Sequence, residues 1–330
     1  MPISRNTLQR ITPYIPGKTI QGLTKMASNE NALGSAVSWE QLKEAFEKIH
    51  VYPDISSSNL IEKLSKKLGV STDQIILGNG SDEIIQMLAL AYLNPGDEVF
   101  TLKHTFSEYE FAAHLMDARC VRDRMSEKTK LVFIANPNNP TGTIMTRAQL
   151  DAFLKTVPAG ALVIMDEAYY EYVESSDYPD IIRDYPDLMV LRTFSKLYGL
   201  AGFRIGYGVA KPEVISTLRK VCQPFNINSL ALKAAELALD ATDHVRKTLE
   251  MNRAGKKYLY VELNKLGLPY LETEANFICI QLQSPVYDGL LKQGIIVRPL
   301  ESFGLPNHIR VTIGTEEQNR RFIDALKKEL

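Results

Sequence analysis

Cysteine is scarce in this chain: Cys120, Cys222 and Cys279 are the three among 330 residues. None has CxxC spacing and each lies among apolar neighbours, so a disulfide framework is excluded and buried thiols in a reducing compartment are expected. The five histidines form no HxxxH or HExxH pair, which removes the common zinc spacings, and no metal site is expected. No apolar run approaches the roughly eighteen residues a membrane helix needs. Met1-Pro2-Ile3-Ser4-Arg5 lacks the apolar stretch of a signal peptide. Charge of one sign is missing too: 38 Lys plus Arg stand against 39 Asp plus Glu, a net charge of −1. That balance leaves no electrostatic case for nucleic acid or a membrane surface. A cytoplasmic protein acting on small molecules is the expectation.

What is present is concentrated in three loops that follow apolar runs. The first is Thr193-Phe194-Ser195-Lys196-Leu197-Tyr198-Gly199-Leu200-Ala201-Gly202-Phe203-Arg204, after Leu188-Met189-Val190-Leu191. A lysine in a tight loop at a strand end can form a Schiff base with an aldehyde cofactor, with Ser195 and Arg204 holding a phosphate nearby. Alone, Lys196 reads as an ordinary solvated loop lysine; the loops that follow overturn that reading. The second is Leu162-Val163-Ile164-Met165-Asp166-Glu167-Ala168-Tyr169. A strand-terminal aspartate suits a protonated pyridine nitrogen, and Tyr169 can reach a ring hydroxyl. Asp166 is also compatible with a turn, a helix N-cap or a metal in another fold. The third is Leu131-Val132-Phe133-Ile134-Ala135-Asn136-Pro137-Asn138-Asn139-Pro140-Thr141-Gly142, whose two Asn-Pro bonds make a rigid turn. Its Asn139 can offer an amide to a ring oxygen. Turning Asn139 inward predicts a cis Asn139–Pro140 bond.

Short strands alternate with helical patterns from about 37 to 210. Strands are expected at Gln74–Leu77, Glu98–Leu102, Leu131–Ile134, Leu162–Met165, Leu188–Leu191 and Arg204–Val209. Helices are expected at Asp82–Tyr92, Phe106–Met116 and Arg147–Lys155. This is an α/β pattern with a mostly parallel central sheet flanked by helices, functional loops lying beyond the strand ends. Ser229 reads as the N-cap of a helix from Leu230 to about Asp240. A smaller α+β unit follows, with helix Thr242–Leu266, strands Asn276–Ile280, Ile295–Val297 and Ile309–Ile313, and a terminal helix from Glu316. The expected division is an N-terminal arm at 1–36, a large domain at 37–241 and a small C-terminal domain at 242–330.

These loops, in this order, resemble those of the fold-type-I pyridoxal-phosphate (PLP) aminotransferases, and most closely the histidinol-phosphate aminotransferases. The resemblance runs nearly end to end. It includes Ile11-Thr12-Pro13-Tyr14-Ile15-Pro16-Gly17-Lys18, Ser28-Asn29-Glu30-Asn31, Tyr52-Pro53-Asp54, Gly78-Asn79-Gly80-Ser81-Asp82-Glu83, Gly294-Ile295-Ile296-Val297-Arg298-Pro299 and Ile309-Arg310-Val311-Thr312-Ile313-Gly314-Thr315. It implies pyridoxal 5'-phosphate on Lys196, with Lys196, Asp166 and Tyr169 as the catalytic set. It implies cofactor contacts from Gly80, Ser81, Asp82, Phe106, Asn139, Ser195 and Arg204, with Tyr52 reaching the phosphate of a neighbouring subunit in a homodimer with shared sites. Phe106 takes the place of the ring-stacking aromatic, Tyr109 being the other possible stacker. Tyr14, Asn29, Arg298 and Arg310 are the implied substrate contacts. The implied reaction moves an amino group between L-histidinol phosphate and 2-oxoglutarate, giving imidazole acetol phosphate and L-glutamate, in L-histidine biosynthesis. The alternative is an aromatic amino acid aminotransferase or a related enzyme of the same fold.

Two rivals are weak. A nicotinamide oxidoreductase needs a third glycine where Glu83 stands. A ligand-sensing regulator of this fold needs an added DNA-binding domain, for which there are no residues. One departure from the resemblance lies between Asp117-Ala118-Arg119-Cys120-Val121-Arg122 and Ser126-Glu127-Lys128-Thr129-Lys130, where about twenty further family residues are absent. Either this is a true deletion or residues between these ends are missing from the sequence as given, and the second reading is preferred because so tight a connection would strain the sheet.

Overall fold

The computed structural model describes residues 5–11, 13 and 17–330. Its principal sheet has seven strands, in the spatial order Ile75–Gly78, Gly206–Val209, Met189–Thr193, Leu162–Asp166, Thr129–Ala135, Glu98–Thr101 and Arg119–Val121. Gly206–Val209 runs antiparallel to both neighbours and every other pairing in this sheet is parallel. A sheet covered on both faces needs apolar side chains on both, which is why Leu131-Val132-Phe133-Ile134 is unbroken. Alternate residues point to opposite sides. Leu131 and Phe133 join Ile85, Leu88 and Ile164 in one core, while Val132 and Ile134 join Leu64, Val163 and Ala234 in the other.

The parallel strands all release their loops at one edge. Gly80, Phe106, Asn139, Tyr169 and Lys196 each follow the carboxyl end of one of them. Element positions agree with expectation to within about two residues at most ends. The exceptions have local causes. Asn228, not Ser229, caps helix Ser229–Ala238, because its Oδ1 accepts from Ala231 N (2.8 Å) while Ser229 is already helical. The helix expected from Phe106 begins at Glu108, leaving Phe106 in the loop. Helices Trp39–Glu47, Ser58–Leu68 and Pro212–Arg219 are additional.

The short connection closes without breaking the sheet. Arg119–Val121 adds a parallel edge strand beside Glu98–Thr101, and residues 122–128 return to Thr129. The adjustment falls on one register shift, between Glu98 and Val99, where the sheet meets Thr129. Glu98, itself buried, gathers the turn by accepting from Ser126 Oγ (2.6 Å) and Thr129 Oγ1 (3.4 Å).

Helix Thr242–Lys265 leads to an antiparallel sheet ordered Arg298–Pro299, His308–Thr312, Phe277–Gln281 and Tyr270–Leu271. It has its own core, with Ile278, Ile280, Val311, Phe322 and Leu326 fully buried. The segment read as an arm contributes here: Thr24–Lys25 pairs in parallel with Ile295–Ile296. No helix among the described residues is long and apolar enough to cross a membrane.

Candidate active site

The loops at the sheet edge and the C-terminal sheet enclose a cavity of about 220 Å³. Its lining includes Asn29, Gly80, Ser81, Asp82, Phe106, Asn139, Asp166, Tyr169, Ser195, Lys196, Arg204, Arg298 and Arg310. Fold proximity alone therefore brings together thirteen of the fifteen residues singled out from sequence. Tyr14 lies outside the described residues. Tyr52 is 78% exposed, stacked on Phe225 (4.6 Å between ring centres) and outside this lining.

Asp166 stands at the floor. It is 4% exposed, and its carboxylate accepts from Tyr109 Oη (2.7 Å) and Ala168 N (3.2 Å). Burial pushes its carboxyl up to about 6, against the hydrogen bond from Tyr109. A desolvated carboxylate facing a cavity, with hydrogen-bond donors but, among the described residues, no cation paired with it, suits a ligand that brings a protonated nitrogen. Tyr109 is not a stacker: it is fully buried, lies flat on Phe133 (4.7 Å, 5°) and directs its hydroxyl at Asp166. Phe106 meets Tyr109 edge-on (5.7 Å, 85°), half-buried at the cavity wall.

Another part of the lining is an anion cradle. Helix Ser81–Tyr92 opens at the cavity, so its first N–H groups and dipole favour negative charge there. Gly80 is at φ 77°, and a Cβ on it would lie 2.5 Å from Arg204 Nη2. A Cβ on Gly206 would lie 2.6 Å from Ser81 N. Both glycines let backbone and guanidinium converge on one point. Arg204 is held there by Asp82 (2.8 Å) and Ala201 O (3.2 Å). Ser195 Oγ accepts from Thr193 Oγ1 (2.9 Å), leaving its own proton for the cavity.

Lys196 is half-buried in the same lining, its Nζ 3.2 Å from Ser28 O and 5.7 Å from the Tyr169 ring centre. Asn139 Oδ1 accepts from Arg310 Nη1, which turns its NH₂ away from the arginine; the Asn139–Pro140 bond is cis, as is Asn136–Pro137. Arg310 also donates to Ala27 O (2.8 Å) and lies opposite Arg298 in register on adjacent strands. The sequence reading gives Asn29 to the substrate, whereas its amide donates to Tyr169 Oη (2.8 Å).

Behind the cavity lies a buried ion pair that was not anticipated. Arg192 Nη2 and Nε both lie 2.8 Å from Glu167 Oε2, Tyr178 donates to Oε1 (2.7 Å), and Tyr170 stacks 3.7 Å from the guanidinium. Burial pushes the Glu167 carboxyl up against the pull of Arg192. Burial also works to lower Arg192, but Glu167 overrules it and the guanidinium stays charged. The pair ties the end of strand Leu162–Asp166 to strand Met189–Thr193, and so sets Asp166 against the Lys196 loop. Its sequence signal was an arginine inside an otherwise apolar strand.

The sequence matches the family described as aminotransferase class I and II over residues 21–326. It is 46% identical to a histidinol-phosphate aminotransferase of Moorella thermoacetica, covering 100% of this chain and 94% of the relative, and 42% identical to one of Symbiobacterium thermophilum, covering 99% and 98%. The first alignment runs over 361 positions against 330 residues here, so the relative carries inserted residues that this chain lacks. In fold, the chain superposes on the histidinol-phosphate aminotransferase of Sinorhizobium meliloti, solved with pyridoxal-5'-phosphate, at a TM-score of 0.88, 24% identity and coverage of 99% and 98%. The chain belongs to the class I and II aminotransferases. It is a PLP-dependent transaminase.

Proposed function

We propose that this chain is a histidinol-phosphate aminotransferase, exchanging an amino group between L-histidinol phosphate and 2-oxoglutarate in the cytoplasm. The observation that carries the cofactor part is one cavity joining a buried carboxylate held by Tyr109, a lysine and an anion cradle. When bound, pyridoxal 5'-phosphate supplies an aldehyde that takes up the amino group and a protonated ring that draws electrons from the substrate carbon. Gly80, Ser81, Ser195 and Arg204 would hold its phosphate, with Asp82 fixing Arg204. Asp166, itself held by Tyr109, would keep the proton on the ring nitrogen. Asn139 and Tyr169 would offer donors to the ring oxygen, and Phe106 would flank the ring. Lys196 Nζ would anchor the cofactor and, once displaced by an incoming amine, would take the proton from the substrate carbon and deliver it to the cofactor carbon.

The substrate inference rests on Arg298 and Arg310. Like charges directly across a sheet are unfavourable, and an anion between them reverses the sign. Glutamate and a phosphate ester each bring such an anion. Mixing the cofactor-loaded protein with histidinol phosphate is expected to bleach the cofactor absorbance in one rapid phase, with phenylalanine slower by at least about 100-fold, the worth of a charged contact or two. Equal rates for the two amines would replace this reading with an aromatic aminotransferase. The three-part division at residues 36 and 241 is part of the same proposal.

The exposed Tyr52 motivates a two-fold dimer with shared sites. Trp39, Phe46, Ile49, Val51 and Ile55, close to it in sequence, are exposed apolar residues as well, of the kind a second copy would cover. Tyr52 of the partner subunit would then donate to the cofactor phosphate. Tyr52→Phe should weaken cofactor retention by about 1.5–3 kcal/mol. At limiting cofactor, mixing Lys196→Ala and Tyr52→Phe subunits should restore activity, since one site of the heterodimer collects both lesions and the other neither. A fully active monomer, seen by sedimentation at micromolar concentration, would refute the shared site.

A further inference from the structure

Asn29 is 1% exposed, at φ 56°, a left-handed conformation that asparagine tolerates better than most residues. Each of its polar atoms has a protein partner. Its backbone N–H donates to Thr312 Oγ1 (2.9 Å) and its carbonyl accepts from Asn276 Nδ2 (3.0 Å). Its Oδ1 accepts from Thr312 Oγ1 (3.4 Å), and its Nδ2 donates to Tyr169 Oη (2.8 Å). Three of these bonds go to the C-terminal sheet and its approach. The fourth crosses to the loop after Asp166. Because the Thr312 proton goes to Oδ1, the NH₂ end of the amide faces Tyr169.

A phenol hydroxyl has one proton and two lone pairs. Asn29 Nδ2 offers only protons, so it occupies a lone pair and leaves the Tyr169 proton to another acceptor. Tyr169 is 4% exposed, packed edge-on against Phe277 (5.0 Å, 80°), and lines the cavity. We propose that Asn29 is a positioning residue: its amide turns the Tyr169 proton toward the ring oxygen of the bound cofactor, and Thr312 and Asn276 tie that orientation to the docked C-terminal unit. This rests on the cofactor reading above. It deepens that reading by giving Asn29 a task other than touching the substrate.

The test reads the ring oxygen rather than turnover. Asn29→Gly accepts the same positive φ, keeps both backbone bonds and deletes the amide. Without an oriented donor, more negative charge stays on the ring oxygen and holds the neighbouring nitrogen proton more tightly. The absorbance titration of the cofactor on Lys196 is therefore expected to move up by about one pH unit, a tenfold change. Tyr169→Phe should move it at least as far. Adding Asn29→Gly to Tyr169→Phe should add nothing, because no proton remains to be oriented. An unmoved titration in Asn29→Gly, or additive shifts in the double variant, overturns the proposal. Should thermal unfolding show that the glycine variant does not hold its fold, Thr312→Val unlocks the amide without removing it. It is expected to raise the titration too, and no rise overturns the proposal. A wild-type protein that leaves no borohydride adduct on Lys196 overturns the cofactor reading and this proposal together, and that adduct tells the two failures apart.

Discussion

Lys196→Ala is expected to lower turnover by more than about 10⁴-fold while leaving the protein folded. General acid–base catalysis by one positioned group is typically worth about 10²–10⁴-fold, and here the same amine also anchors the cofactor, so both contributions disappear together. The fold should survive because Lys196 is only half-buried and its side-chain amine donates to Ser28 O alone among the described residues, while its carbonyl keeps the bond from Gly199 N. The surrounding loop is held by other contacts: Phe194 N donates to Ile205 O (3.1 Å) and Leu200 N to Phe194 O (3.1 Å). Lys196→Arg should be equally inactive, since it restores charge without a nucleophile. Turnover at saturating cofactor, thermal unfolding and mass spectrometry after borohydride together make the check. A folded, cofactor-loaded Lys196→Ala protein with full turnover would remove the mechanism.

Asp166→Asn is expected to act in two opposite directions, on activity and on the stability of the cofactor-free protein. Removing one partner of a buried ion pair typically costs about 3–5 kcal/mol, so loss of the carboxylate should reduce turnover by roughly 10²- to 10⁴-fold. In the cofactor-free protein none of the described residues pairs a cation with Asp166, and burial holds its carboxyl at about 6. The folded state then binds its proton more tightly than the unfolded chain does. Between about pH 4 and pH 6 the native protein carries more protons, so stability falls as pH rises, by about 3 kcal/mol in all. Glu167 and Glu171 are pushed up by burial as well and add slope of the same sign. The difference between wild type and Asp166→Asn isolates the Asp166 share. Urea unfolding of the two cofactor-free proteins should show near-equal stability at pH 4 and a more stable variant at pH 8. Parallel pH profiles would contradict the geometry of the cavity floor. Loading the cofactor supplies the missing cation and should flatten the wild-type profile.

The chemistry was legible in the order of three loops, because each follows an apolar strand and carries a residue type with few alternative uses there. Asp166, Asn139 and Lys196 are far apart in the chain, yet parallel strands release their loops at one edge, so strand order alone predicts that they meet. The same logic placed Gly80 at a helix start. Cross-strand chemistry was not legible. Nothing local in Glu98-Val99-Phe100-Thr101 shows that a three-residue edge strand will close the connection after it. The role of Tyr109 turned on a single orientation: helix Glu108–Leu115 points it inward under Phe133, and a stacking ring became the support of Asp166.

By itself the sequence determined the α/β pattern, the site-bearing loops and the residue types that a PLP cofactor requires, because periodicity and turn chemistry act over a few residues. Only the tertiary structure decided the partners of buried polar groups: Asn29 with Tyr169, Glu167 with Arg192, Arg310 with Asn139. A buried donor or acceptor must find its complement wherever packing brings one, and those complements lie 140, 25 and 171 residues away in the chain. Propensity has no reach over such distances. Burial does, since leaving any of these groups unsatisfied costs about 1–3 kcal/mol, enough to select one arrangement of side chains behind loops whose chemistry was already written.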